Sequence, residues 1–265
     1  MLNIQITYSN IIKSILVFAC IIISTSPLKL AAENSDKAVD VAEIVNKIDT
    51  LFRSSTSVAK IEMIITTPNW TRRLKMDMWT KGLEKTFIRI LTPKKDAGIA
   101  TLRVEKSMWN YFPKINKVIK VPPSMMMSSW MGSDFTNDDL VKESSLLNDY
   151  NAKFICCAEK MDNNYCIELT AKKNAPTVWG KIILMVRKKD IIPVSQTFFD
   201  EKGEAIRLMN FKDVKMFGNR KMPATMEMIP LKNRDKKTVM HFINAIYDQN
   251  IDKLIFTRRN LQKKR

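Results

Sequence analysis

The chain has 265 residues, and its 44 lysines and arginines outnumber its 27 aspartates and glutamates to give a formal net charge of +17. This charge predicts anionic partners, but the lysines are scattered and form no arginine-rich block, which argues against nucleic acid. The 6 glycines belong to no phosphate-binding, dinucleotide-binding or nucleophile-elbow motif, so the sequence excludes the enzyme classes that depend on those motifs.

Residues 1–32 have the features of a secretory signal peptide. Lys13 supplies a charged start, an apolar run of about 13 residues follows, and small residues at the end suit cleavage. A transmembrane helix needs about 20 apolar residues, so a retained anchor is the less favoured alternative. Cys20 ends a stretch that resembles a lipoprotein-processing box, but the residues after it stay apolar, which disfavours lipidation. We therefore expect export to a bacterial periplasm, with a mature chain that begins near Glu33.

The mature chain, residues 33–265, is expected to form one domain, because neither a Gly/Ser linker nor an internal repeat divides it. Its first element is a predicted helix with a cap at Ser35 and Asp36. Apolar residues recur along it at helical spacing, at Val41, Ile44, Val45, Ile48, Leu51 and Phe52. This apolar stripe must pack against a larger structure.

Alternating or β-rich runs follow the helix and predict a long series of strands. They lie at 58–67, 73–80, 85–91, 100–105, 108–112, 115–121, 152–159, 165–171, 179–188, 193–199, 205–212, 223–229 and 238–247. Turns that contain Gly82 or Gly203 are typical of hairpins. The pattern predicts a mainly β protein of the α+β class, with one curved antiparallel sheet that has an apolar and a polar face.

The remaining segments are short. A cap at Thr136 predicts a helix that runs to about Leu147. The tail at 249–265 has only a weak apolar stripe. The loop at 113–135 is then available to cover the sheet.

Three cysteines remain after signal cleavage. Cys156 and Cys157 point to opposite faces if their segment is a strand, so either one or the other could lie opposite Cys166 and form a disulfide. Three unpaired buried thiols are the alternative. No histidine or second cysteine pair stands at ligand spacing, so we expect no metal site.

Catalytic residues are not evident. His241 is the only histidine, and no serine or cysteine motif surrounds it, so we expect a histidine packed in a strand. Asp138 and Asp139 are adjacent at a helix start and point in different directions, which favours capping over an acid–base pair. We expect neither enzyme activity nor a cofactor.

Methionine and tryptophan are the unusual feature, with 17 and 5 residues respectively. Methionine adapts to partners of varied shape, so these side chains are candidates for binding a flexible apolar ligand; core packing is the alternative for those in strands. Burial of a 16-carbon acyl chain is worth on the order of 12 kcal/mol, which would require an apolar cavity. The candidate ligand-binding residues are Met63, Met76, Met78, Trp109 and Tyr111 in strands, and Met125, Met126, Met127, Trp130 and Met131 in a flexible lid at Pro122–Met131.

Segments such as "MWNYFPKINKVIKV", "SSWMGSDFTNDDL" and "NRKMPATMEMIPL" resemble the LolA-like group of outer-membrane lipoprotein-sorting proteins, in its larger and mostly uncharacterised branch. The resemblance extends over residues 36–261, and its most specific part is Trp109, Tyr111 and Pro113 followed by Met131–Phe135 and by Asp139 and Leu140. It implies an incomplete antiparallel β-barrel whose concave apolar face is covered by helices and a loop, and which holds acyl chains in a cavity.

Two functions fit these features. The first is a periplasmic carrier that binds the acyl chains of lipoproteins or lipids and moves them between membranes. The alternative is a non-enzymatic accessory subunit that docks to a membrane transport complex through its basic surface. The expected partners are acyl chains or lipids, an inner-membrane transporter and an anionic membrane surface.

Overall fold

The computed structural model describes residues 39–52, 54–141, 145–157, 162–175 and 177–263. The predicted signal peptide at 1–32 and the predicted cap at Ser35 and Asp36 lie outside these residues. The described strands are β1 (Thr56–Thr66), β2 (Thr71–Lys81), β3 (Lys85–Thr92), β4 (Ala100–Val104), β5 (Ser107–Phe112), β6 (Lys117–Val121), β7 (Tyr150–Ile155), β8 (Asn164–Ala171), β9 (Lys181–Arg187), β10 (Ile192–Phe199), β11 (Ala205–Phe217), β12 (Arg220–Pro230) and β13 (Lys237–Tyr247).

All of these strands belong to one antiparallel sheet with the order β6-β5-β4-β3-β2-β1-β13-β12-β11-β10-β9-β8-β7. It consists of two meanders, β1–β6 and β7–β13, which the pairing of β1 with β13 joins side by side. The sheet does not close, because β6 and β7 remain as its edges. The predicted mainly β fold with an incomplete barrel is therefore confirmed, and each predicted strand corresponds to an observed one.

Helix α1 (Val41–Leu51) begins at Asp40, whose side chain accepts a hydrogen bond from the backbone N–H of Ala42. This cap satisfies one of the free N–H groups at the helix start. The helix buries one apolar stripe at Ile44, Val45, Ile48 and Leu51. The predicted helix is confirmed, and its N-cap is Asp40.

The predicted helix from Thr136 to Leu147 is in fact two helices, α2 (Asn137–Val141) and α3 (Leu146–Asp149). Ser145 has an extended backbone and caps α3, so it interrupts the helical path. Two 3₁₀ helices, at Pro123–Met125 and Lys253–Phe256, and helix α4 (Arg258–Leu261) complete the described helices. Every helix in the described ranges is too short or too polar to cross a membrane.

The face of the sheet that carries helices α1 to α3 is called the inner face here. One core cluster on this face includes Ile61, Met63, Leu74, Met76, Met222 and Met240, and is covered by Trp130, Phe135 and Leu140. The other includes Ile167, Leu169, Ile182, Leu184 and Phe198, and is covered by α1 and by Leu146. The inner face is therefore apolar along both meanders.

The opposite, outer face is not polar throughout, which corrects the sequence prediction. On β3 to β5 it carries a third apolar cluster that includes Phe87, Leu102 and Tyr111. The C-terminal segment covers this cluster with Ile251, Phe256 and Leu261. The tail that seemed weakly apolar in sequence is thus part of the core.

A disulfide joins Cys157 to Cys166 with a Cα–Cα distance of 5.3 Å, and Cys156 is free and exposed. The register of β7 against β8 explains why Cys157, and not Cys156, pairs with Cys166. Ile155 lies opposite Cys166, and Cys157, two residues further on, points to the same face as Ile155, whereas Cys156 points to the other.

Replacement of Cys157 and Cys166 by alanine is expected to lower the free energy of unfolding by about 2–3 kcal/mol, because the crosslink restricts the unfolded chain. Urea unfolding of the oxidised protein measures this. The control is Cys156→Ala, which should change stability by less than about 0.5 kcal/mol. Equal losses in the double variant and the control would contradict the assigned pairing.

Candidate functional site

A cavity of about 220 Å³ lies between the inner face of the sheet and helices α1, α2 and α3. Its wall is mostly apolar, and its main apolar lining residues are Ile48, Phe52, Met78, Phe135, Leu140, Leu146, Tyr150, Trp179, Ile182, Phe198, Met209, Phe211, Met226, Met228, Met240, Phe242 and Tyr247. The volume is somewhat below the roughly 300–1,000 Å³ of typical ligand pockets. A long chain would therefore need the covering elements to move.

The sheet register places a band of methionines along the cavity wall. Met209 of β11 lies opposite Met228 of β12, and Met226 of β12 lies opposite Met240 of β13. All four side chains line the cavity. Because methionine is unbranched and polarizable, this band forms an apolar wall that can repack around a ligand.

Helix α1 closes one side of the cavity with an aromatic contact. Phe52, directly after the helix, lies 5.9 Å from Phe211 and 6.0 Å from Phe242 between ring centroids. Both partner rings line the cavity, Phe211 from β11 and Phe242 from β13, the two strands on either side of β12. The position of α1 therefore determines how far this side of the cavity is closed.

A buried ion pair connects α2 to the sheet. Arg207 of β11 is only 5% exposed, and it donates hydrogen bonds of 2.6 and 2.7 Å to the two carboxylate oxygens of Asp139. Its guanidinium carbon lies 4.2 Å from the ring centre of Trp179 and 4.5 Å from that of Phe198. Its Nε is buried without a hydrogen-bond partner among the described residues. The pair is a two-point contact that fixes α2 over the cavity.

Asp139 also forms the cap of α2. Its carboxylate accepts hydrogen bonds from the backbone N–H and the hydroxyl of Thr136, whose own oxygen accepts one from the backbone N–H of Asp139. Burial alone would raise the pKa of Asp139, but the Arg207 charge and the hydrogen bonds from Arg207 and Thr136 hold it below its usual value. The capping role predicted from the sequence is confirmed, and the ion pair is an additional role.

Sequence reasoning missed Arg207, although a signal was present. In the strand predicted at 205–212, alternation places Arg207 on the same face as Met209 and Phe211. An arginine on an apolar face needs a buried partner, because an unpaired buried charge is very costly. The partner itself is 68 residues away in sequence, so local patterns could not identify it.

The predicted strand residues separate into three environments. Met78 lines the cavity. Met63 and Met76 are buried in the inner core. Trp109 and Tyr111 belong to the outer cluster beneath the C-terminal segment, so they do not face the cavity.

The segment predicted as a lid lies beside the cavity and not on its wall. Trp130 is 2% exposed, and its indole N–H donates to the hydroxyl of Thr101 at 3.2 Å, so it is a core residue. Met126 and Met131 are half-buried against the inner core, whereas Met125 is 51% exposed. Met127, the last of these predicted residues, is half-buried.

Hydrogen bonds hold this segment in place. Asn137 of α2 donates from its side chain to the backbone oxygens of Met125 and Ser128. The backbone N–H of Asp138 donates to the oxygen of Met126 at 2.9 Å. The segment and α2 therefore form one connected unit, and we refer to residues 122–141 as the cover.

His241 is located away from the cavity wall, on the outer side of β13. Its Nδ1 lies 2.8 Å from the hydroxyl of Thr225, which donates to Asp213 at 2.6 Å. This is a strand-packed histidine within a polar network, as the sequence predicts.

The fold has relatives among solved structures. A lipoprotein-sorting protein domain from Vibrio parahaemolyticus is 18% identical with a TM-score of 0.72, covering 84% of this chain and 98% of its own. A DUF1329 family protein from Desulfovibrio piger is 19% identical with a TM-score of 0.75, covering 83% and 97%. A LolA superfamily protein from Nitrosomonas europaea is 18% identical with a TM-score of 0.71, covering 84% and 100%. The chain therefore has the LolA-like fold.

A protein family described as uncharacterised matches residues 82–263, which is more than half of the chain. The chain belongs to this family. The resemblance to the LolA-like lipoprotein-sorting group is confirmed at the level of the fold. Comparison with curated proteins gives no match.

For this LolA-like chain, Arg207→Met is expected to lower the free energy of unfolding by about 3–5 kcal/mol, because it leaves the Asp139 carboxylate buried without its partner. The double variant Arg207→Met with Asp139→Leu should recover much of this loss, because no uncompensated charge remains. Urea unfolding of the single and double variants measures the coupling. The exposed pair Lys232 and Glu204 is the control, and Lys232→Met should cost less than about 1 kcal/mol. Strictly additive losses at Arg207 and Asp139 would contradict the coupling.

The ion pair also predicts a pH dependence. Since the pKa of Asp139 is lowered in the folded state, its stabilisation is complete above the unfolded value of about 3.9 and is lost as the pH falls through the folded value. The stability difference between the native protein and Asp139→Asn, measured from pH 7 to pH 2, should be constant down to about pH 5. A difference that shrinks between pH 7 and pH 5 would mean that the pKa is raised and would contradict the assignment.

Proposed function

We propose that this protein is a non-enzymatic periplasmic carrier that binds the acyl chains of lipoproteins or lipids and moves them between membranes. The observation that carries the proposal is the cavity between the inner face and the helices, with its wall of methionine and aromatic side chains. An apolar cavity with few polar groups suits a hydrocarbon chain better than a polar substrate. The LolA-like fold supports the same conclusion.

The energetics agree with a carrier. Burial of apolar surface is worth about 0.8 kcal/mol per CH₂, so a 16-carbon chain would gain on the order of 12 kcal/mol on leaving water. Part of this gain must be spent on moving the cover, because the cavity of about 220 Å³ is small. The net affinity is then low enough to permit release at an acceptor membrane.

The contacts of the cover indicate how the cavity would open. Besides the ion pair of Asp139, the cover is attached through Asp134, which accepts a hydrogen bond from the Thr238 hydroxyl at 2.7 Å. Arg72 adds a hydrogen bond of 3.0 Å to the backbone oxygen of Met131. Opening as a lid would break these polar contacts together and would also expose Trp130, Phe135 and Leu140, which the cover buries against the inner core.

Location and partners complete the proposal. The sequence features of residues 1–32 support export to the periplasm. The net charge of +17 supports approach to an anionic membrane surface, where a carrier would meet an inner-membrane transporter partner and take up its ligand.

Purified exported protein should carry acyl ligands that native mass spectrometry detects as added mass. The triple variant Met78→Gln, Met209→Gln and Met226→Gln keeps side-chain volume but makes the cavity wall polar, so it should lose at least about tenfold in ligand occupancy. The control is Met216→Gln on β11, because Met216 is 59% exposed on the outer face.

A second arm tests the segment predicted from the sequence, with Met125, Met126 and Met127 all replaced by glutamine. Since these residues do not line the cavity, occupancy should fall less than in the triple variant. If the native protein neither co-purifies with lipid nor takes it up from liposomes, the carrier proposal fails and docking to a transport complex becomes the better explanation.

A further inference from the structure

Gln196 is a polar residue in an apolar wall. It lies on β10 opposite Leu184 of β9 and Met209 of β11, both of which point to the inner face. The residue is only 5% exposed, yet it lines the cavity. Alternation along β10 places it on the same face as Phe198, beneath the ion pair.

The carboxamide of Gln196 makes no hydrogen bond to any described residue, and the same is true of the hydroxyl of Thr86, another buried polar group on the cavity wall. Of the cavity's polar side chains, Asp139 is paired with Arg207, and Ser57 and Thr80 are hydrogen-bonded to each other at 2.6 Å. Although the residue as a whole is buried, its amide atoms are accessible from the cavity, so water can satisfy them in the free protein. Because this amide faces a cavity, a ligand can supply the missing partner.

The surroundings indicate the chemistry of that partner. Phe198 lies opposite Arg207 in the register, so Arg207 is the diagonal neighbour of Gln196 on the inner face. The Arg207 charge is already neutralised by the two-point contact with Asp139. A ligand that ends in a free carboxylate would gain little binding energy from Arg207, and the Asp139 carboxylate would repel it. A neutral group that accepts and donates hydrogen bonds fits the carboxamide, which offers both an N–H and a carbonyl.

We infer that Gln196 binds the neutral linkage of the ligand, the amide or ester carbonyl at the end of the acyl chain, and so selects acyl-linked lipids over plain hydrocarbons. This inference rests on the proposed carrier function. The Nε2–H of Gln196 donates to the ligand carbonyl, and Oε1 accepts the N–H of an amide-linked chain. An ester can make only the first of these contacts, so amide-linked chains bind more tightly than ester-linked chains.

The test uses delipidated full-length mature protein and four probes of similar length: N-methyldodecanamide, methyl dodecanoate, dodecanoate and tetradecane. Displacement of an environment-sensitive fluorescent apolar dye gives their relative affinities. The native protein and Gln196→Met are compared for each probe, because the cost of removing a given probe from water is the same for both proteins. Gln196→Met is expected to lower the affinity for the amide relative to the alkane by about tenfold, the effect of one net hydrogen bond, and the affinity for the ester relative to the alkane by less.

Gln196→Met keeps an unbranched side chain among neighbouring methionines, and Gln196→Leu is a second variant in case the first is poorly folded. The matched control is Thr197→Val, the next residue on β10, which points to the outer face and should keep the preference of the native protein. Thermal unfolding checks that each variant is folded.

The outcomes separate the inference from the proposed function. If no probe binds to the native protein, the carrier proposal itself fails. If the ratio of amide to alkane affinity is the same in the native protein and in both Gln196 variants, or if the Gln196 variants lose more affinity for dodecanoate than for the amide, the role of Gln196 is wrong while the carrier remains. A fall of this ratio in the Gln196 variants but not in Thr197→Val establishes the role.

Discussion

The pairing of β1 with β13 is the constraint on which the rest of the structure depends. It joins the first strand to the last, so that two separate meanders become one sheet with a common inner face. Side chains alternate between faces, and a slip of one residue would exchange the inner and outer sets. The register that places Met63 opposite Met240 therefore also places the neighbouring Phe242 on the cavity side. A bulge between Lys60 and Ile61 adjusts this register without exchanging the faces.

An open sheet cannot cover its own apolar face, and the elements that cover this one are short. Helices α2 and α3 have five and four residues, a length at which isolated helices are not stable in water. Their stability comes from capping, from burial of Leu140 and Leu146, and from the ion pair of Asp139. Local opening of such elements costs much less than global unfolding. The fold thus combines an extended sheet with short covering elements whose stability depends on their contacts with it, and the proposed carrier function requires these elements to move.

The strands and α1 were predictable because each has a local signal, namely alternation in the strands and the stripe from Ile44 to Leu51 in the helix. An apolar cavity could be predicted from the sequence, but of the predicted ligand-binding residues only Met78 lies on its wall. The cluster at Met125–Met131 stands out in composition, yet only tertiary contacts decide that Trp130 is buried. Similarly, Tyr111 follows the alternation of a strand, but the apolar cluster that it joins forms with a tail more than a hundred residues later. Such long-range pairings leave no periodic trace in the sequence.

In the proposed function, the basic charge of the chain acts at a different stage from the cavity. Part of it is used within the sheet, where Lys212 and Lys237 both contact Glu227 across neighbouring strands. Burial tends to raise the pKa of Glu227, but hydrogen bonds from the two lysines lower it further than burial raises it, so the carboxylate stays charged. In the proposed function, the remaining cations would form a long-range field that increases the rate of encounter with anionic surfaces but adds little affinity at physiological salt. Apolar burial would supply the affinity in the cavity, where the charges of Arg207 and Asp139 cancel each other. In the proposed function, salt would then change the rate at which ligand is captured far more than the strength with which it is held.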